Sequence, residues 1–182
     1  MPTGAGKSIC YQIPATLLPG MTVVISPLIS LMRDQVDALN DVGIPAAFIN
    51  TTQSPDEQDL VFVQALSGRI RLLYVAPERL ETERFRTFAS RVPISLVAVD
   101  EAHCVSQWGQ DFRSSYLGIG DFLKALPTRP TVAAFTATAT VPIRVASSPF
   151  AARSSRTAIF NDSASDSTSL RVAQYTMPDS SG

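Results

Sequence analysis

The sequence predicts an α/β fold: a mostly parallel sheet with helices on both faces. Three observations carry this reading. Five short runs rich in β-branched residues recur between Thr22 and Phe135, their cores are apolar at consecutive positions, and helical patterns lie between them. A strand covered on both faces must be apolar at every position, whereas a strand with one wet face alternates. Strands that alternate with helices build parallel sheets wrapped on both sides.

The five runs are Thr22–Ser26, Ala46–Ile49, Arg71–Val75, Ser95–Val99 and Val132–Phe135. Between the first two, Leu28–Val42 places Leu28, Leu31, Met32, Leu39 and Val42 on one helical face, and Gly43 stands where the helix must stop. The next helix announces its own start. Ser54-Pro55-Asp56-Glu57 has the Ser-x-x-Glu form of a capping box with proline at the first helical position, and Gly68 closes the segment. Composition then shifts. Residues 1–143 hold ten serines and residues 144–182 hold ten more in a far shorter stretch, without helical or strand period. A domain over 1–141 followed by a disordered tail over 142–182 is therefore expected.

Length and charge bound the function. At 182 residues the chain supports one domain with a tail, large enough to need no disulfide or metal staple. No apolar run approaches the ~18 residues of a membrane span, no secretory signal opens the chain, and Cys10 and Cys104 form no CxxC pair. A soluble, cytoplasmic protein, cytosolic or nucleoid-associated, is expected. The net charge of −1 predicts no global attraction to polyanions, so any nucleic-acid contact must come from local patches.

Chemistry enters at Thr3-Gly4-Ala5-Gly6-Lys7-Ser8, the Thr-Gly-x-Gly-Lys-Ser core of a phosphate-binding loop. Glycines let backbone N–H groups curl round a phosphate, Lys7 supplies charge to the β- and γ-phosphates, and the Ser8 hydroxyl can ligate Mg²⁺. Met1 stands where the general pattern has its first glycine, and a glycine-rich helix start with an exposed lysine would look similar. A second motif, Asp100-Glu101-Ala102-His103, follows the apolar run 95–99 directly. Two carboxylates at the end of a buried strand are costly unless they face a cation or solvent. Asp100 is placed to hold Mg²⁺ and Glu101 to orient and deprotonate an attacking water. A solvated acidic turn is the alternative for an isolated Asp-Glu pair, and a lone histidine such as His103 is more often structural.

The loops after the other strands are polar too, and in open α/β sheets that carboxyl edge binds ligands. After His103, the stretch Val105–Tyr116 carries Gln107, Trp108, Phe112 and Arg113, aromatic faces and a guanidinium suited to stacking on single-stranded bases. Trp108 and Phe112, four apart, equally fit packing on the core from one helical turn.

Together these residues resemble the first motor lobe of a RecQ-family DNA helicase, a branch of the superfamily 2 helicases. MPTGAGKSICYQIPA (1–15) resembles motif I of that family, SPLISLMRDQV (26–36) motif Ia and YVAPERL (74–80) motif Ib. DEAH (100–103) is motif II, 105–116 resembles the aromatic-rich loop, and FTATAT (135–140) motif III. The resemblance implies a RecA-like P-loop lobe that binds ATP and Mg²⁺. Paired with a second RecA-like lobe, it would translocate 3′ to 5′ on single-stranded DNA or DNA junctions in repair and recombination. It assigns His103, Thr136 and Thr138 to coupling between nucleotide and DNA, and puts Ser26, Arg33, Gln107, Trp108 and Arg113 near DNA or in the coupling loop.

Departures are specific. Gln110 stands where the family usually has histidine, and Ser114-Ser115 replace a Pro-acidic pair. The upstream adenine-recognising glutamine motif, the strand feeding the P-loop and motifs IV to VI have no counterpart. A truncated or frame-shifted lobe, inactive on its own, is the expectation. Two other readings stay open: an isolated nucleotide- or DNA-binding module without turnover, and another P-loop enzyme such as a different superfamily 2 ATPase or a small-molecule kinase.

Overall fold

The computed structural model describes residues 5–101, 110–135, 157–160 and 172–174. In chain order the elements are α1 (Ala5–Leu17), β1 (Met21–Ile25), α2 (Ile29–Asp41), β2 (Ala46–Ile49), α3 (Pro55–Leu66), β3 (Leu72–Val75), a 3₁₀ turn (Pro77–Arg79) and α4 (Glu83–Ala89). They continue with β4 (Ile94–Val99), α5 (Gln110–Ala125), β5 (Thr131–Phe135), β6 (Thr157–Phe160) and β7 (Val172–Gln174).

The sheet runs β2-β3-β1-β4-β5-β6-β7. The first five strands are mutually parallel, and each lies within one residue of the run expected from sequence. Within the region 142–182, where no period was legible, two short segments form strands. β6 pairs antiparallel with β5, and β7 with β6.

Alternation along the strands sorts the core into two layers. Val23, Ile25, Leu73, Val75, Val97 and Val99 point to one face, where Phe62 of α3, Phe85 and Phe88 of α4 and Phe122 of α5 complete the cluster. These four rings lie 4.5–6.4 Å apart, centroid to centroid, in tilted pairs. Val24, Leu72, Tyr74, Leu96 and Ala98 point to the other face and meet Tyr11 and Ala15 of α1 and Met32, Val36 and Leu39 of α2. Burying a large apolar side chain contributes about 1.5–3 kcal/mol, so both layers hold the sheet.

Local rules set the helix ends. The Ser54 hydroxyl accepts from Glu57 N–H while the Glu57 carboxylate accepts from Ser54 N–H at 2.7 Å, the reciprocal box the sequence predicts. That backbone bond, with the Ser54 hydroxyl, holds the Glu57 carboxyl below its usual range. Gly43 and Gly68 adopt φ +77° and +73°, the left-handed conformation that ends α2 and α3. One expectation is corrected. Leu28 and Val42, assigned to the buried face of α2, are exposed, because the helix stops just inside both and they sit at its caps.

Gly20 shows how tightly β1 enters the sheet. Its N–H donates to Ser95 Oγ at 2.9 Å, and a Cβ added there would lie 2.4 Å from the Pro93 carbonyl oxygen. Backbone cannot yield as a flexible side chain can. Gly20→Ala is therefore expected to lower stability by about 1–3 kcal/mol, read as a reduced urea midpoint with an unchanged slope.

Candidate functional site at the carboxyl edge

Strand register builds the site. Ile25 pairs with Val75 on one side and Val99 on the other, Val75 pairs with Ile49, and Val99 with Ala134. All five parallel strands therefore end at one level, which brings Ser26, Asn50, Ala76 and Asp100 to a single edge, with Thr136 next in chain after β5. The chain runs from β1 outward to β2 and back to β3, then crosses to β4 and β5. The order reverses between β1 and β4, and such a reversal opens the crevice in which α/β sheets bind ligands.

Asp100 stands at that crevice. Its N–H donates to Ile25 O at 2.8 Å, which continues the ladder one step beyond the strand, and its Oδ1 accepts from Glu101 N–H at 2.9 Å. The residue is only 5% exposed. Glu101 is half-buried and turns the chain sharply at φ +49°, the sole non-glycine residue with positive φ among the described residues. A left-handed glutamate is strained by ~1 kcal/mol or more, and such strain gathers at functional turns.

The first helix supplies the other half. Ser8, in the first turn of α1, is buried, and Tyr11 one turn on is buried between Tyr74 of β3 and Phe135 of β5, edge-on to both rings. Tyr74 is the third of four residues in β3 and Phe135 the last of β5, so Tyr11 lies under the crevice between β1 and β4. Burial, then the neighbouring Tyr74 and the charge of Asp100, push the Tyr11 phenol far above its usual range. Gln12 Nε2 donates to Gln35 Oε1 of α2 at 2.8 Å and to Tyr74 Oη at 3.2 Å, tying α1 to α2 and to β3.

The remaining candidates divide. Ser26 reaches the same edge, its N–H donating to Val75 O, but its side chain is buried and its hydroxyl has no hydrogen-bond partner. Nearby in the loop after β3, Arg79 Nε is likewise buried without a partner. Arg33 lies on the exposed side of α2, its guanidinium 5.8 Å above the Phe48 ring centroid. Ala5, Gly6 and Lys7 form the first turn of α1, and Phe112 and Arg113 the first turn of α5, in backbone only. Thr3, Gly4, His103, Gln107, Trp108, Thr136 and Thr138 lie outside the described residues.

Sequence reasoning missed Tyr11, Gln12, Gln35 and Tyr74. Each sits in an apolar or amphipathic run and reads there as core or surface. The available signal was Tyr74, the one polar-tipped residue in a strand otherwise Leu-Leu-Val. Among the described residues no group of three His, Cys, Asp or Glu side chains could hold a metal, and no helix is long and apolar enough to cross a membrane.

Comparison with known proteins follows this geometry. The DEAD/DEAH box helicase family model matches residues 1–145. The chain is 54% identical over 140 residues to the ATP-dependent DNA helicase RecQ of Bacillus subtilis, covering 77% of this chain and 24% of that protein. It is 50% identical over 139 residues to RecQ of Haemophilus influenzae, covering 76% and 22%. It is 46% identical over 146 residues to the rat ATP-dependent DNA helicase Q5, covering 77% and 15%. The chain thus spans about a quarter or less of the length of these relatives. In fold it is similar to the DUF1998 helicase MrfA bound to DNA and AMPPNP, with TM-score 0.57 and 16% identity, covering 77% of this chain and 21% of that one. Mycobacterium smegmatis Lhr bound to ssDNA and AMP-PNP aligns with TM-score 0.52 and 20% identity, covering 75% and 20%.

Strain at the acidic turn can be separated from the chemistry of its carboxylate. Glu101→Ala and Glu101→Gly lose the same carboxylate, but only glycine relieves the positive φ. Thermal or urea unfolding should find the glycine variant more stable than the alanine variant by about 1 kcal/mol. Equal stabilities would mean that the turn stores no strain.

Proposed function

Since the chain belongs to the DEAD/DEAH box helicase family, with RecQ helicases among its relatives, we propose that it is the ATP-binding motor lobe of a RecQ-type DNA helicase. The observation that carries the reading is the convergence at one crevice: Asp100 and Glu101 close β4 beside Ser26, and Ser8 and Tyr11 of α1 lie beneath. In this reading residues 1–141 carry the motifs of the lobe, and 142–182 carry none of them, although β6 and β7 extend its sheet.

Each residue has a role. The Thr3–Ser8 loop and the N-terminus of α1 bind the phosphates of ATP, with Lys7 as the point charge. Ser8 and Asp100 would hold Mg²⁺; both donors are oxygens, as a hard cation prefers, and phosphate and water oxygens would complete its shell. When bound, the cation would supply charge neutralisation at the phosphates. Glu101 orients the attacking water and takes its proton. His103, Thr136 and Thr138 pass the nucleotide state to the DNA side. Arg33, Gln107, Trp108, Phe112 and Arg113 meet single-stranded DNA, and Ser26, buried at the same edge, belongs to the coupling region beside it. A second RecA-like lobe would close on this edge and drive 3′ to 5′ translocation, the step on which strand separation in repair and recombination depends.

Two measurements test the reading. Lys7→Ala should abolish Mg²⁺-ATP binding in calorimetry, and equal binding by the variant would overturn the phosphate-loop assignment. Trp108 is the sole tryptophan, so its fluorescence reports directly on the aromatic loop. Single-stranded oligonucleotide should change it, since base stacking is worth ~1–3 kcal/mol per base. An unchanged signal where DNA is bound by other measures would place Trp108 in the core instead.

A further inference from the structure

The parallel part of the sheet has two edges, and the chain closes them differently. An edge strand offers its outward N–H and C=O groups to any strand that can pair with them. At β2 the Asn40 side chain takes both groups of Ala46: its Nδ2 donates to the carbonyl at 3.1 Å and its Oδ1 accepts from the N–H at 3.0 Å. At the other edge β5 is met by β6, which runs against it and pairs Ala158 with Ala134 and Thr157 with Phe135. That register gives no β6 partner to Thr131, Val132 or Ala133, although β5 contributes buried apolar residues to both layers of the core.

Connection rules say which strand this edge fits. Parallel strands joined through a helix are linked by right-handed crossovers in about 98% of cases. On the face of Phe62, Phe85 and Phe122, the helices α3, α4 and α5 each carry the chain toward β5. On the opposite face α2 carries it from β1 toward β2, as the same hand requires. α1 lies on the α2 face, so a strand leading through α1 into β1 must come from the β5 side. β4 fills the first place on that side and β5 the next, which leaves the outer edge of β5 for the lead-in strand, parallel to it. Tyr11 agrees with this path, its ring lying 5.3 Å from that of Phe135, the last residue of β5. A phosphate loop is the turn between just such a strand and its helix.

We propose that the outer edge of β5 is a strand-docking site. Its fitting partner is an apolar strand that runs parallel to β5 and enters the phosphate loop, and β6 is an antiparallel stand-in that this partner displaces. The proposal rests on the reading of Thr3–Ser8 as a phosphate loop. A strand seated there is covered on both faces, hence apolar at consecutive positions, and a ladder along all of β5 outweighs pairing with Ala134 and Phe135 alone.

The test follows backbone hydrogen exchange in the full 182-residue chain, as it stands and with a probe strand, Val-Thr-Val-Val-Ile, joined ahead of Met1. A control probe, Val-Pro-Val-Pro-Ile, has the same reach but lacks the N–H groups of a ladder. The first probe should speed exchange at 157–160 about tenfold and slow it at 131–135 by a similar factor, and the control should do neither. Unchanged exchange at both segments with the first probe would overturn the proposal, as would fast exchange throughout the sheet or the same change with both probes. Free exchange at 157–160 in the unextended chain would mean that β6 holds no place to be displaced from, which also overturns it. Binding of a fluorescent ADP analogue to the chain and to Lys7→Ala checks the phosphate loop separately. Loss of binding in Lys7→Ala beside an unmoved β6 overturns the docking site and leaves the loop standing. Displacement of β6 beside undiminished binding in Lys7→Ala supports the docking edge and overturns the loop.

Discussion

The in-register parallel pairing of Ile25 with Val75 and Val99 is the constraint on which the rest of the molecule depends. A one-residue slip in either ladder would turn every side chain of the slipped strand to the opposite face. It would also displace the end of that strand by ~3.3 Å, more than a hydrogen bond can bridge. With the register kept, Asp100 N–H reaches Ile25 O, and Ser26 N–H reaches Val75 O. The backbone itself aligns the loops that carry chemistry.

That alignment concentrates cost in one place. An aspartate that is 5% exposed, a glutamate at φ +49° and a buried tyrosine lie around the same crevice. The first two weaken folding on their own, by desolvation and by backbone strain. The apolar layers on both faces offset these terms. The cluster of Phe62, Phe85, Phe88 and Phe122 lies on the opposite face from Tyr11, and the face below α1 carries Gln12, Gln35 and two tyrosines.

The two apolar layers also fix how the elements can move. Arg84 ties α4 to α3 through its ion pair with Asp59, its bond to Pro55 O and its place above Phe62. On the opposite face the links include Gln12 to Gln35 and Tyr74, and Arg71 to Leu18 O at 3.1 Å. α1 is thus joined to the sheet by its own buried face and by hydrogen bonds that can be exchanged.

Much of this was legible from local patterns. Apolar runs marked five strands to within a residue, Ser54 and Glu57 announced their reciprocal cap, and Gly43 and Gly68 stand where left-handed backbone ends a helix. The Asp100-Glu101 pair was legible as two carboxylates closing a buried strand. Those features follow from steric and hydrogen-bonding rules that act within a few residues, so any reader of the chain meets them in order. Other features do not. Strand order, the exposure of Leu28 and Val42, the two short strands β6 and β7, and the grouping of Ser8, Tyr11, Gln12, Gln35, Tyr74 and Asp100 depend on contacts between distant parts of the chain. Tyr11 reads as an ordinary core aromatic until packing brings Tyr74, Phe135 and Asp100 around it, because its hydroxyl takes its meaning from neighbours that only the folded sheet supplies.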